Sequence, residues 1–369
     1  MRVAIMGAGL SGLACAATLE KHGIEPVLYE KRSRIGDRFV YGEVMLSLFT
    51  KPAHDSIAAL SEQFGIYLRP IAAIERMRIF SPTKKAVIEG QLGFTNQRGR
   101  VPNTYEAQLG EEVKAKIHYH SNKTYSELLE QYTHVVVATG DPQTAKDTGN
   151  FREDFTVTLK GATVEGRFDT MEVAVWMDYH LAPYGYGYLI PFSETQANLV
   201  LAVPEIEKNR HLDAERQWGM VHAQAQNELM QPLQVSDHFH IHGYSIGLCD
   251  AGRIGNTFYV GNCFGALMPF LGFGQYCSLL TGIYAAYDLC GKGNYEKLTK
   301  PLRDSYERSL ILRRGAERLT NDSLDLIVHA LNGYWGDKLF QTKVVDPLKI
   351  ISFLLRPFIR EKEPSKTLR

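Results

Sequence analysis

The residues best placed to do chemistry are three glycines near the N-terminus, Gly7, Gly9 and Gly12, and an acid eighteen positions after the last of them, Glu30. Gly7 allows a tight turn, Gly9 lets the backbone approach a pyrophosphate, and Gly12 lets a helix pack closely on a strand. A helix opening at this point offers free N–H groups and a partial positive charge to an anion. Glu30 is placed to accept hydrogen bonds from a ribose diol. This is the chemistry of a dinucleotide site; the bland alternative is a chance Gly-rich turn. The elements needed to position these residues surround them. They are an apolar β run at 2–6, an Ala-rich helix to Lys21, and a second β run at 25–30.

Two later stretches point the same way. Residues 134–141 form a β-branched run that stops at Ala138, Thr139 and Gly140. Ligands of a doubly wound sheet sit at strand carboxyl ends, so these three belong beside the same nucleotide unless the strand simply ends in a turn. Residues 256–275 read as a strand to Val260, a small-residue turn at Gly261 and Asn262, a break at Pro269, and Gly272 and Gly274 before a helix at 276–289. Glycines ahead of a helix either aim backbone amides at an anion or an electron-rich ring, or only cap the helix. Between these stretches, residues 183–192 alternate Tyr and Gly, placing Tyr184, Tyr186 and Tyr188 on one side of a strand. The bare side leaves room for a ring system or a lipid chain, though a strand packed on a helix has the same pattern. In the basic loop 31–38, Arg38 either turns back to cofactor phosphates or sits in a solvated turn.

At 369 residues the chain predicts two or three structural units. Its 44% apolar content is ordinary, and its net charge of zero gives no reason to expect a nucleic-acid partner. No window reads as a membrane span. The first strand begins within two residues, so no signal peptide is expected. Five cysteines without CxxC or zinc spacing read as free thiols and predict no metal site. The expectation is a cytoplasmic enzyme. Helices are predicted at 54–64 and 105–113, and short antiparallel strands at 77–80 and 86–88. A strand at 117–120 would place His118 and His120 on one face in structural roles. Residues 151–245 read as strand-rich, with runs at 155–159, 172–177, 188–191 and 198–203. The chain after 300 reads as helical. Its last segment opens at Asp346-Pro347 and is apolar over 348–355 and 358–359. Residues 341–369 carry seven Lys/Arg against three Asp/Glu, so this tail either docks into the fold or lies on a membrane surface.

Taken together, the landmarks resemble the flavoprotein oxidoreductases of the para-hydroxybenzoate hydroxylase fold. Gly261, Pro269, Gly272 and Gly274 match that group's late motif, GDxxxxxxPxxGxG, with Asn262 where the family has Asp. Asn can still accept a hydrogen bond through its carbonyl oxygen. Within the group the chain resembles the geranylgeranyl reductases, whose substrate motif is written PxxYxWxFP. Pro183 and Tyr186 fit that pattern, Tyr188 and Ile190 replace the Trp and the Phe, and Pro191 ends it.

The resemblance implies an α/β protein. Its Rossmann-like FAD-binding domain (1–65, 98–150 and 250–300) receives an inserted antiparallel-sheet substrate domain (66–97 and 151–249), and a helical C-terminal region (301–369) follows. It implies FAD held by Gly7, Gly9, Ser11, Gly12, Glu30, Lys31, Arg38, Ala138, Thr139, Gly140, Gly261, Asn262, Pro269, Gly272 and Gly274. Tyr186 and Tyr188 become candidate catalytic residues of a cavity for a hydrophobic substrate. The implied reaction is hydride addition from reduced flavin to a carbon–carbon double bond of a prenyl chain. No second complete GxGxxG is present, so NAD(P)H visits transiently or a redox partner such as a ferredoxin delivers the electrons. Two alternatives stay open. One is a flavin-dependent monooxygenase or halogenase, for which Lys51 is the only candidate tunnel lysine. The other is a non-catalytic FAD- or lipid-binding relative, favoured by Asn262 and the adjoining Cys263-Phe264.

Overall fold

The computed structural model describes residues 1–342 and 346–360. Of the basic tail, 343–345 and 361–369 lie outside the described residues, as do the side chains of residues 356–360. The chain opens with β1 (Val3–Met6), α1 (Leu10–Lys21) and β2 (Val27–Tyr29). It leaves for β3 (Tyr41–Leu46), α2 (Ser56–Phe64), β4 (Ala72–Phe80) and β5 (Lys85–Arg98), and returns through α3 (Tyr105–Glu112). β6 (Ile117–His118), α4 (Tyr125–Gln131), β7 (His134–Val137) and α5 (Gln143–Asp147) follow. A second excursion comprises β8 (Phe151–Glu165), β9 (Glu172–Trp176), β10 (Tyr186–Pro191), β11 (Gln196–Pro204), α6 (Ala214–Leu229) and β12 (Gln234–Cys249). β13 (Arg253–Ile254), β14 (Thr257–Tyr259) and α7 (Gln275–Leu289) come back to the start. Then α8 (Tyr295–Ala316), α9 (Asn321–Leu331), α10 (Tyr334–Gln341) and α11 (Pro347–Arg360) finish the described chain.

Two sheets result. The first runs β13-β14-β7-β1-β2-β6 and is parallel except for β13. The chain moves from β1 to β2 on one side, while β7 takes the other side. The strand order therefore reverses at the carboxyl ends of β1 and β7, where such sheets hold ligands. The second sheet runs β12-β8-β11-β10-β9-β4-β5-β3, antiparallel except between β4 and β9. α1 is buried from Leu10 to Leu19, because β1 and α7 close over it. A Cβ on Gly282 of α7 would strike the Ser11 carbonyl, so these two helices meet backbone to backbone.

Several expectations change. β3 lies in the second sheet, although its residues fall within the 1–65 stretch given above to the FAD-binding domain. A full helix, α6, sits inside the strand-rich stretch, capped by Asp213 and buried through Trp218, Val221 and Ala225. β6 ends at His118, whose ring stacks on Tyr29 with centroids 5.0 Å apart; His120 lies beyond it in a turn, at φ 52°. The bare side of the Tyr-Gly stretch is filled by protein. A Cβ on Gly187 would press against Val221 of α6, and one on Gly185 would strike the Ala202 carbonyl. The helix-packed alternative is therefore the one observed. Tyr184 stands outside the strand at φ 58°, so two aromatics, Tyr186 and Tyr188, share the face instead of three.

Candidate functional site

The β1–α1 turn is built as its glycines require. At φ 110° Gly7 adopts a backbone that L side chains rarely tolerate, and a Cβ there would strike the Ala138 carbonyl. A Cβ on Gly12 would strike the carbonyl of Gly7, so both positions are closed by packing. Gly9 is different, with nothing within 4 Å of the position a Cβ would take. It caps α1 without any side-chain hydrogen bond, which leaves the first-turn N–H groups facing that open space. Glu30 reaches the same turn, accepting from the N–H groups of Ala8 at 2.8 Å and Arg32 at 2.9 Å.

The end of β7 and the late loop converge on this turn. Gly261 donates its N–H to the Thr281 hydroxyl of α7 at 2.9 Å, and Ser11 lies where a Gly261 side chain would be. Asn262 donates its amide to the Gly140 carbonyl at 3.2 Å and to the Tyr244 hydroxyl. The Thr139 hydroxyl contacts the Cys263 thiol at 3.1 Å. Burial pushes that thiol up to about 11, so Cys263 stays protonated near neutrality and acts as a small packing group. Gly140, at φ 79°, has nothing within 4 Å of a Cβ and joins Gly9 in lining open space. Ala138 is buried behind it. Arg38 has a buried Nε without a hydrogen-bond partner, with its guanidinium 4.9 Å from the Phe39 ring centroid and 5.1 Å from that of Tyr41. Lys31 is exposed.

Asn262 thus has a reason to be an amide. An aspartate would set a carboxylate against the Gly140 carbonyl. Asn262→Asp is expected to cost about 1 kcal/mol in urea unfolding, although it restores the family's residue. An unchanged midpoint would show that the amide does not bridge these groups in solution.

Beyond Pro269, which is buried, Leu271 and Gly272 both take left-handed backbone, at φ 61° and 70°. Leu271 is a non-glycine residue held there by its neighbours. The Tyr186 hydroxyl donates to its carbonyl at 2.6 Å, and the Ser309 hydroxyl of α8 accepts from Phe270 N–H at 2.8 Å. Gly274 then opens α7 with no side-chain cap. Gln275 exchanges two hydrogen bonds with Asn96 of β5, at 2.6 and 2.7 Å, fixing the start of α7 to the second sheet. Burial raises the phenols of Tyr186, Tyr188 and Tyr244 above their ordinary range, so all three keep their protons. Tyr186 therefore tethers the loop, and its proton is committed to Leu271. Tyr244, Ser309 and Thr281 escaped the sequence reading because each acts across a contact between distant segments, outside any motif.

These groups fit a bound dinucleotide. Uncapped helix N-termini, an open glycine cradle, a buried unpartnered guanidinium nitrogen and a carboxylate at the turn are the donors and acceptors that FAD needs.

Comparison with known proteins agrees. Residues 5–51 match the model of an NAD(P)-binding Rossmann-like domain. A putative flavin-containing monoamine oxidase of Mycobacterium tuberculosis is 36% identical over 74 residues, spanning 18% of this chain and 16% of that protein. A geranylgeranyl bacteriochlorophyll reductase-like protein from Thermoplasma acidophilum superposes over 99% of this chain and 96% of its own, with TM-score 0.66 and 14% identity. A flavin-dependent brominase superposes over 98% and 100%, with TM-score 0.67 and 14% identity. A flavoprotein/dehydrogenase from Cytophaga hutchinsonii gives TM-score 0.61 at 16% identity, over 97% and 100%. The chain has the fold of flavin-dependent oxidoreductases and monooxygenases, as the sequence motifs implied.

Proposed function

We propose that the chain binds FAD and acts as an oxidoreductase that reduces carbon–carbon double bonds of a prenyl or similarly hydrophobic substrate. The observation that carries this reading is the meeting of three motifs far apart in sequence: Gly7 packs against Ala138, Gly261 against Ser11, and Asn262 donates to the Gly140 carbonyl. When bound, the flavin supplies the hydride chemistry. The chain's part is to bind and orient. The first turn of α1 would hold the pyrophosphate, Glu30 would hold the adenosine ribose, and the unpartnered Arg38 Nε could donate to a phosphate. The uncapped start of α7 would offer its positive end to negative charge that grows on reduction. Tyr186 keeps the Leu271–Gly272 turn in place, and Tyr188 lines the substrate side. Electrons would come from NAD(P)H or from a redox partner protein.

A monooxygenase or halogenase would use the same cradle. The lysine a halogenase needs finds little support in Lys51, whose ammonium donates to the Thr342 carbonyl. The test is the visible spectrum of the purified protein, followed by anaerobic dithionite and a prenyl lipid. Bleaching of a flavin spectrum and its recovery on adding the lipid without oxygen is the expected result. Oxygen uptake with NAD(P)H would favour the monooxygenase, and a protein that takes up no FAD would overturn the reading.

A further inference from the structure

The last described helix has three faces. Ser352 is buried, Leu348 reaches the core of the second sheet, and the helix packs on α8. Opposite Leu348 and Ser352, beyond the buried Pro347 of the first turn, Ile350, Ile351, Phe353 and Leu354 are exposed, Phe353 at 72% and Leu354 at 63%. At 100° per residue these four span less than half the helix circumference, so they form one apolar stripe. Lys349, which is exposed, falls on its border, Arg356 and Arg360 follow in the sequence of the same helix, and the helix contains no acid. A chain with no net charge therefore concentrates positive charge beside its exposed apolar helix face.

We infer that α11 seats the protein on an anionic lipid surface. Apolar side chains would enter the acyl boundary and lysine and arginine would meet the headgroup phosphates, the physics of an interfacial helix. Fourteen residues make about 21 Å of helix, short of a hydrocarbon core, and no described helix is long and apolar enough to cross a membrane. The helix lies along the surface. The nine residues that follow, 361–369, include one leucine among mostly charged and polar residues and offer no apolar cover of their own. The charge border also argues against a second copy of the chain, which would bring like charge to like charge in a two-fold pairing of this face.

The test is flotation of the full chain with phosphatidylcholine vesicles, with and without phosphatidylglycerol. Binding to the phosphatidylglycerol vesicles, released by high salt, is expected. The double variant Phe353→Ser/Leu354→Ser should bind about tenfold or more weakly while melting at the same temperature, since both side chains are exposed. Lys349→Glu should weaken binding only where phosphatidylglycerol is present. Absence of vesicle binding, or equal binding by the double variant, would overturn the inference. So would a concentration-dependent dimer that the double variant abolishes without any lipid binding. Vesicle binding is read without flavin turnover, so this proposal and the oxidoreductase reading stand or fall separately.

Discussion

Gly9→Asp is expected to abolish flavin uptake while leaving the protein as stable as before, or slightly more so. Gly9 sits at φ −88° and ψ −174°, extended backbone open to any residue, and a side chain there meets nothing. It is also the N-cap of α1, a position where aspartate is among the best residues, better than glycine by about a few tenths of a kcal/mol. The same carboxylate would stand where a pyrophosphate must lie. Two charges about 4 Å apart near a protein surface repel by about 4 kcal/mol, roughly a thousandfold in affinity. Gly12→Val is the contrasting case. Its Cβ would strike the Gly7 carbonyl, and the expected loss is more than about 3 kcal/mol of stability, with flavin lost as a consequence of unfolding. Thermal melting and flavin retention on desalting separate the two. Normal flavin retention by Gly9→Asp would mean that the pyrophosphate does not lie at this turn.

The second large effect is expected where the two sheets are joined. Arg98, at the end of β5, donates its Nε–H to Glu106 in the first turn of α3 and reaches Glu43 of β3 at 3.0 Å. The Glu106 side chain is 2% exposed, and its second oxygen is buried without a partner. Arg98→Met would strand that carboxylate, at a cost of about 3–5 kcal/mol in urea unfolding. Replacing both, as Arg98→Met/Glu106→Leu, should cost less than the single change, because no buried charge is left alone. Glu43 stays partly exposed, and water can serve it once the arginine is gone. A double variant as unstable as the sum of its parts would mean that the pair is uncoupled.

What could be read from the amino-acid order follows from how local each signal is. The β1–α1–β2 unit, the β7 strand and the late loop were legible because glycine positions, β-branched runs and a proline break are short-range constraints. α6 carried its own signal, an Asp213 cap and apolar residues at 218, 221 and 225, but was masked by the strands on either side. β3 is not legible because Gly42 interrupts its β-forming pattern and its partners lie in β5, 47 to 57 positions later. The glycines of the Tyr-Gly stretch suit either a ligand or a packed helix, and nothing local reveals that Val221 of α6 fills the space. The site's polar wiring was the least legible part. Asn262 with Gly140, Tyr186 with Leu271 and Gln275 with Asn96 each join segments brought together only by the finished topology.

That topology also sets an order of events during synthesis. α1 is made first, yet α7, which covers it, follows about 250 residues later, after both excursions into the second sheet. At the usual pace of about 5–20 residues per second, the N-terminal helix waits roughly 12–50 s on the ribosome with its apolar surface uncovered. The helix that packs on α1 is missing until α7 emerges, so FAD loading would not precede it, and a nascent chain halted before α7 would be an aggregation-prone species with nothing to bind.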